Sequence, residues 1–241
     1  MHVCKRLTTL IIITGMLTGA IGAYSAEEAL TIAVLDFKDN SPLASEDLQP
    51  LQRGAADVVI TTLSEVRSLK IVERSRIQAV FDEIALGQSG MLDESSIQEV
   101  GKLLGAHYLV LGSFMKGFKK DIRFDCRIVE TETGLTVKAE EISGKLDDLL
   151  SLMNKLGVKI IRDLDLKLNA SEKKSIDQLK NACSQELMMD YFRALELIEQ
   201  EDYKNADMLL TKVRKGCPEF KKVVAVQQEM RRSLLEKLRK K

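Results

Sequence analysis

Residues able to do covalent or acid–base chemistry are few in this sequence, and their spacing sets narrow limits. Beyond His2 there is one histidine, His107, at the head of the apolar run "HYLVLGSF". A Ser-His-Asp or Cys-His set needs an imidazole held between a nucleophile and an orienting group. A lone histidine opening a buried strand reads as structural. No CxxC, HExxH or zinc-ligand spacing occurs in the sequence. The segment "GQSG" lacks the lysine that follows a phosphate loop and the strand that precedes one. Asp121, Asp125 and Glu130 fall in a strand whose polar side reads as a solvated face rather than an acid–base pair. The expectation is a non-enzyme, without catalytic residue, metal or cofactor.

One stretch sets opposite charges side by side. In "IVERSRIQAVFDEIALGQSG", Ile71 to Gly90, Glu73 and Arg74 close an apolar strand just before a helix. Glu73 lies near the helix N-terminus, where the dipole favours negative charge. Arg74 can take a carboxylate or backbone carbonyls across the sheet end. The pair is read as a structural junction. The functional alternative is recognition of a protein or ligand. Ser75 and Gln78 stand at the spacing of a capping box.

The elements that must position these residues follow from hydrophobic period. "LTIAVLDF" (Leu30 to Phe37) is continuously apolar and predicts a strand buried on both faces. A helix is expected from about Asp47 to Arg67, then a strand at "LKIVE". Helices with stripes Ile77, Val80, Phe81, Ile84 and Ile97, Val100, Leu103, Leu104 come next, ended by glycines such as Gly87 or Gly90. "HYLVLGSF" is a third strand. "DIRFDCRIVETETGLTVKAEEIS" alternates around Thr133-Gly134 and predicts an antiparallel hairpin, with Cys126 on its inward face. A long amphipathic helix closes this unit near Leu168. The fold class is therefore α/β: a layered domain with a mixed sheet at 29–168, followed by a small all-helical module at 171–241.

Composition narrows the setting. The chain has 241 residues, 45% hydrophobic and 30% charged, enough for one fair core and a smaller module. It has no Trp and few aromatic residues, which argues against a carbohydrate or single-stranded nucleic-acid platform. Residues 1–25 read as a secretory signal, with a basic start, an apolar run and small residues at Ala23 and Ser25. An uncleaved anchor is the alternative. Cys4 precedes the apolar run, so it is no lipoprotein cysteine. Loss of residues 1–25 removes Lys5 and Arg6 and leaves a net charge of −2, which does not suggest a nucleic-acid binder. From Lys212 to Lys241 the local charge is +8. That tail reads as a solvated helix face, or as a peripheral contact with an anionic membrane surface or an acidic protein.

"IAVLDFKDNS", "IVERSRIQAVFDEIALGQSGMLD", "AHYLVLGSF" and "RIVETETGLTV" occur in this order. Together they resemble the CsgG family, related in fold to the N-terminal domain of TolB and to LpoB-type lipoproteins. The resemblance covers Leu30 to Gly144. It implies an envelope protein of a two-membrane bacterium, facing the periplasm. CsgG itself forms an oligomeric outer-membrane channel that secretes curli subunits. Here "MKGFKK" occupies the place of the first channel hairpin, and the chain runs from the Gly134 hairpin straight into its closing helix. The sequence looks like the soluble periplasmic core of the family.

"YFRALELIEQEDYKNADMLLTKVRKGCPEF" resembles one tetratricopeptide repeat, matching at Ala194, Leu197, Tyr203, Ala206, Leu210, Val213 and Pro218. A single repeat cannot bury its own faces, so it should pack on the last helix, the α/β domain or a partner. Cys183 and Cys217 fall at ends of this hairpin that meet. They read either as a disulfide stapling the module or as two separate buried thiols.

The function expected from all this is non-enzymatic interaction in outer-membrane assembly, secretion or envelope regulation. The partners would be envelope proteins, with a homo-oligomer as a further expectation. The alternative is an oligomeric secretion-channel subunit for curli-like proteins.

Overall fold

The computed structural model describes residues 29–42, 46–84, 94–118, 120–179 and 183–239. The expected signal segment and the glycine helix end at Gly87 or Gly90 lie outside these residues.

Among the described residues six strands form one mixed sheet, five of them in the order β3-β1-β4-β5-β6 and the sixth, β2, paired to β4. β1 (Leu30–Val34) is central and pairs in parallel with β3 (Leu69–Ile71) and with β4 (Tyr108–Lys116). β2 (Lys38–Asp39) continues β1 along β4, in register Lys38 to Ser113. β4, β5 (Asp121–Glu130) and β6 (Thr136–Lys145) are antiparallel neighbours. The β5–β6 turn uses Gly134 at φ 74°, a left-handed conformation that glycine adopts without steric cost.

The sheet is covered differently on its two faces. On one, Ile32, Val34, Phe114, Phe124 and Cys126 pack with α1 (Gln49–Leu63) and α4 (Leu149–Asp163). On the other, Ala33, Leu109 and Val129 pack with α2 (Arg74–Ile84) and α3 (Glu94–Leu104). β1 is buried from both sides, as its unbroken apolar run requires. The period-two pattern of β5 puts Ile122, Phe124, Cys126 and Ile128 inward.

Several boundaries differ from expectation. α1 ends at Leu63, not Arg67, because the Ser64 hydroxyl donates to the Ile60 carbonyl and the Arg67 amide is taken by Glu172. β3 continues its ladder through the Val72 amide, which donates to the Ile32 carbonyl. The chain then turns at Glu73, whose carbonyl accepts from the amides of Arg76 and Ile77. α2 therefore starts at Arg74, and Ser75 lies inside it rather than capping it. Gln78 donates to Asp82 instead of reaching back, so the capping box does not form. Leu103, placed in the α3 stripe, is exposed. α4 stops at Asp163, where Asp165 takes a left-handed φ of 53° and ends the helix before Leu168.

The remaining helices are α5 (Ala170–Gln178), α6 (Gln185–Glu199), α7 (Tyr203–Gly216) and α8 (Lys222–Arg239). Asn169, Ser184 and Asp202 cap α5, α6 and α7 through side-chain oxygens. Cys183 and Cys217 are joined by a disulfide, with Cα atoms 5.6 Å apart, that closes the α6–α7 hairpin. Closing a loop of 34 residues stabilises by about 3–4 kcal/mol in the chain-entropy account. The hairpin is compatible with the repeat-like reading. It packs its α6 face on α1, so the sheet and the helical tail share one hydrophobic core.

Candidate interaction site at the sheet end

β1 feeds α1 on one face and β3; β3 feeds α2 and α3 on the other face and β4. The crossovers diverge at β1, so the carboxyl ends of β1 and β4 border a crevice where an open α/β sheet binds ligands. A cavity of 1130 Å³ opens there. One wall is Asp36, Arg74, Ile77, Gln78 and Phe81; the floor is the face of β4 and β5 that carries Leu111, Ser113, Arg123, Asp125 and Arg127.

The opposite charges of the opening motif part company here. Glu73 is exposed and acts through its backbone carbonyl. Arg74 turns back to the end of β1, where its guanidinium donates to the Asp36 carboxylate. Its NH2 group also donates to the Arg53 carbonyl at 3.3 Å. Arg74 thus ties the start of α2 to the end of β1 and to the first turns of α1.

A partly buried charge network extends behind it. Arg53 contacts the Glu199 carboxylate of α6, while its Nε has no hydrogen-bond partner among the described residues. Burial, then the nearby charge of Arg74, lowers the Arg53 pKa to about 10, so it stays charged at neutral pH. One turn on, Asp57 accepts from the Tyr191 hydroxyl at 2.7 Å and faces Lys222 at 3.9 Å. Burial and then the Asp57 charge push the Tyr191 phenol well above its usual range, which keeps it a donor. Asp36, Arg53 and Asp57 were not singled out from sequence. The signal for Asp36 was a lone carboxylate closing an apolar strand; for Arg53 and Asp57 it was an i,i+4 pair on an otherwise apolar helix.

On the floor, Arg123 donates to Asp125 at 2.6 Å and faces Glu141 at 3.1 Å. Arg127 shares this face, opposite Leu111 in the ladder. It has no ion-pair partner among the described residues. Glu130 accepts from the Thr133 hydroxyl at the hairpin turn, at 2.8 Å, away from Asp121 and Asp125.

His107 does not reach the cavity. Its Nδ1 accepts from the Thr31 amide at 3.0 Å, and its own amide donates to the Thr31 carbonyl. It locks the start of β4 to β1. Cys126 is a buried free thiol. Among the described residues no cluster of three or more His, Cys, Asp and Glu could hold a metal ion. No helix among them is long and apolar enough to cross a membrane.

The arrangement can hold an extended segment. Phe81, Ile77 and Leu111 offer an apolar strip, and beside it Arg127 offers a guanidinium that has no ion-pair partner among the described residues.

Residues 17–118 match the family model for the curli production assembly/transport component CsgG. No curated protein matches the chain. Among solved structures, the LpoB C-terminal domain from Escherichia coli aligns at 13% identity and TM-score 0.41, over 52% of this chain and 89% of that one. TolB from Acinetobacter baumannii aligns at 14% identity and TM-score 0.38, over 57% of this chain but 29% of its own length. The PelC dodecamer from Paraburkholderia phytofirmans aligns at 12% identity and TM-score 0.36, over 58% of this chain and 91% of that one. The resemblance is expected over Leu30 to Gly144; the family model matches residues 17–118, so β5 and β6 lie outside the matched interval. The segment that carries β1 to β4 is thus similar to the CsgG family.

Proposed function

We propose that this chain is a non-enzymatic interaction protein of the bacterial envelope. It faces the periplasm, associates with the outer membrane, and serves assembly, secretion or envelope regulation there. The cleft at the sheet end is its docking site for a segment of an envelope protein. The observation that carries this reading is the pairing of an apolar strip with Arg127, a guanidinium lacking an ion-pair partner among the described residues, in an open cavity at the switch point. The family description, a transport and assembly component, supports the envelope setting.

The test is site-specific photo-crosslinking in intact envelopes. A photoreactive residue at Gln78 should give a defined adduct, and the same residue at exposed Lys174 should not. Arg127→Glu should reduce the Gln78 adduct at unchanged expression. Equal patterns from both positions, or no effect of Arg127→Glu, would defeat the cleft as the docking site.

A second reading, a channel subunit, is favoured by the transport role in the family description. Light scattering on residues 26–241 without detergent separates the two. A monomer or dimer supports the interaction protein. A large ring, or protein soluble only in detergent, supports the channel.

A further inference from the structure

Most charges that line the cleft are matched by a neighbour. Asp36 takes Arg74, Glu199 takes Arg53, and Glu140 takes Lys159 and Arg162. Arg123 is shared by Asp125 and Glu141, which leaves one carboxylate in excess at that corner of the floor. Two cations are left over. Lys38 of β2 and Arg127 of β5 are exposed, line the cleft, and have no ion-pair partner among the described residues.

The sheet register fixes where these two stand. Lys38 lies beside Ser113 of β4, and Ser113 lies beside Asp125 of β5. Arg127 is two residues on from Asp125, opposite Leu111. Lys38 and Arg127 are therefore two strand spacings apart across the sheet and two residues apart along it. With strands ~4.8 Å apart and a rise of ~3.4 Å per residue, their Cα atoms are separated by about 12 Å. The line between them crosses β4 between Leu111 and Ser113, and Ile77 and Phe81 of α2 wall the cleft there.

We propose that the occupant of the cleft is an extended protein segment with two carboxylates four residues apart and an apolar residue midway between them. The proposal rests on the docking reading of the cleft and names the chemistry of its partner. In an extended chain, residues i and i+4 point to the same side and stand about 13 Å apart, close to the separation of Lys38 and Arg127. The residue at i+2 shares that side and falls midway, beside Leu111, where Ile77 and Phe81 can cover it. Each acidic side chain then meets a cation that no described residue neutralises. The excess carboxylate at Asp125 and Glu141 repels a uniformly acidic strand, so the site selects two spaced carboxylates over a polyanion.

The test is fluorescence anisotropy of a labelled, C-terminally blocked peptide, Ser-Glu-Thr-Leu-Thr-Glu-Ser, titrated with residues 26–241 at low salt. Binding should be saturable and should weaken as salt rises. A twin with both Glu replaced by Gln should bind about tenfold more weakly, and so should a peptide with its two acids adjacent. Hexaglutamate should compete less well than the unlabelled peptide. Arg127→Glu should lower affinity about tenfold, and one of the two peptides that carry Lys in place of a single Glu should restore it. That rescue shows that the variant is folded. No saturable binding, equal binding of the Gln twin or of the adjacent-acid peptide, hexaglutamate competing as well as the peptide, or no rescue by either Lys peptide overturns the proposal. If the peptide fails while a photoreactive residue at Gln78 still gives its adduct in envelopes, the cleft remains the docking site and the paired carboxylates are wrong. Loss of both results removes the docking reading as well.

Discussion

Cys126 sits on β5 with its side chain between the sheet and α4, and burial pushes its thiol up to about 12, aided by the charges of Glu140 and Asp163. At pH 8 the reactive thiolate is then only about one part in ten thousand. Cys183 and Cys217 are held in a disulfide. A chain begun at Ala26 should therefore show no fast-reacting thiol with Ellman's reagent when native. It should show one on unfolding without reductant, and three after reduction and unfolding. A fast native thiol would place Cys126 in a more open site than the one described. The inward side of Cys126 could be read directly from the period of its strand. The partner of Arg74 could not, because Asp36 lies 38 residues earlier and only the parallel pairing of β1 with β3 brings the two together. Residue identity carried the capacity for a bidentate contact, and topology chose the carboxylate.

Element ends depend on competition for a few backbone amides, and this is where the local pattern was least informative. Ser75 and Gln78 had the right spacing for a cap, yet the sheet ladder runs on to Val72 and the turn falls at Glu73. The box that does form is at α5. Glu172 accepts from the Asn169 amide at 2.8 Å and, across the molecule, from the Arg67 amide at 3.0 Å. These two bonds, the Arg67 amide first, hold the Glu172 carboxyl below the usual carboxylate range, while burial pushes it the other way. A carboxyl whose folded pKa is depressed contributes stability that is present above its unfolded pKa, about 4.3, and lost as pH falls through its folded pKa. Glu172→Gln should therefore lower the urea midpoint at pH 7, and the deficit relative to wild type should shrink below about pH 4. An unchanged deficit at pH 3.5 would mean that packing, not the charge on these amides, is what Glu172 supplies. The long-range half of this cap is absent from any local window, since Arg67 and Glu172 are 105 residues apart.

At the scale of the molecule, the composition change near residue 170 suggests two units, but the core does not stop there. Phe192 and Tyr191 of α6 are fully buried against α1, and Tyr191 bonds Asp57. Close approach of the two helices depends on Gly54. A Cβ built there would lie 2.1 Å from the Phe192 ring, far inside contact distance. Removing the tail would strip that cover from Gly54 and Asp57 on α1. We therefore expect residues 26–241 to unfold in one cooperative transition in urea, followed by far-ultraviolet circular dichroism and tyrosine fluorescence together. Overpacking a filled interface costs about 1–3 kcal/mol, so Gly54→Ala should lower the midpoint of that single transition for both probes by a matching amount. The tyrosine signal is a fair reporter of the joint because Tyr191 lies in it and Trp is absent. Two separated transitions, with Gly54→Ala moving only one of them, would show that the sheet keeps its fold without α6. The helical tail would then be an accessory laid on a finished domain, and not part of the core that holds the sheet end and its cleft in place.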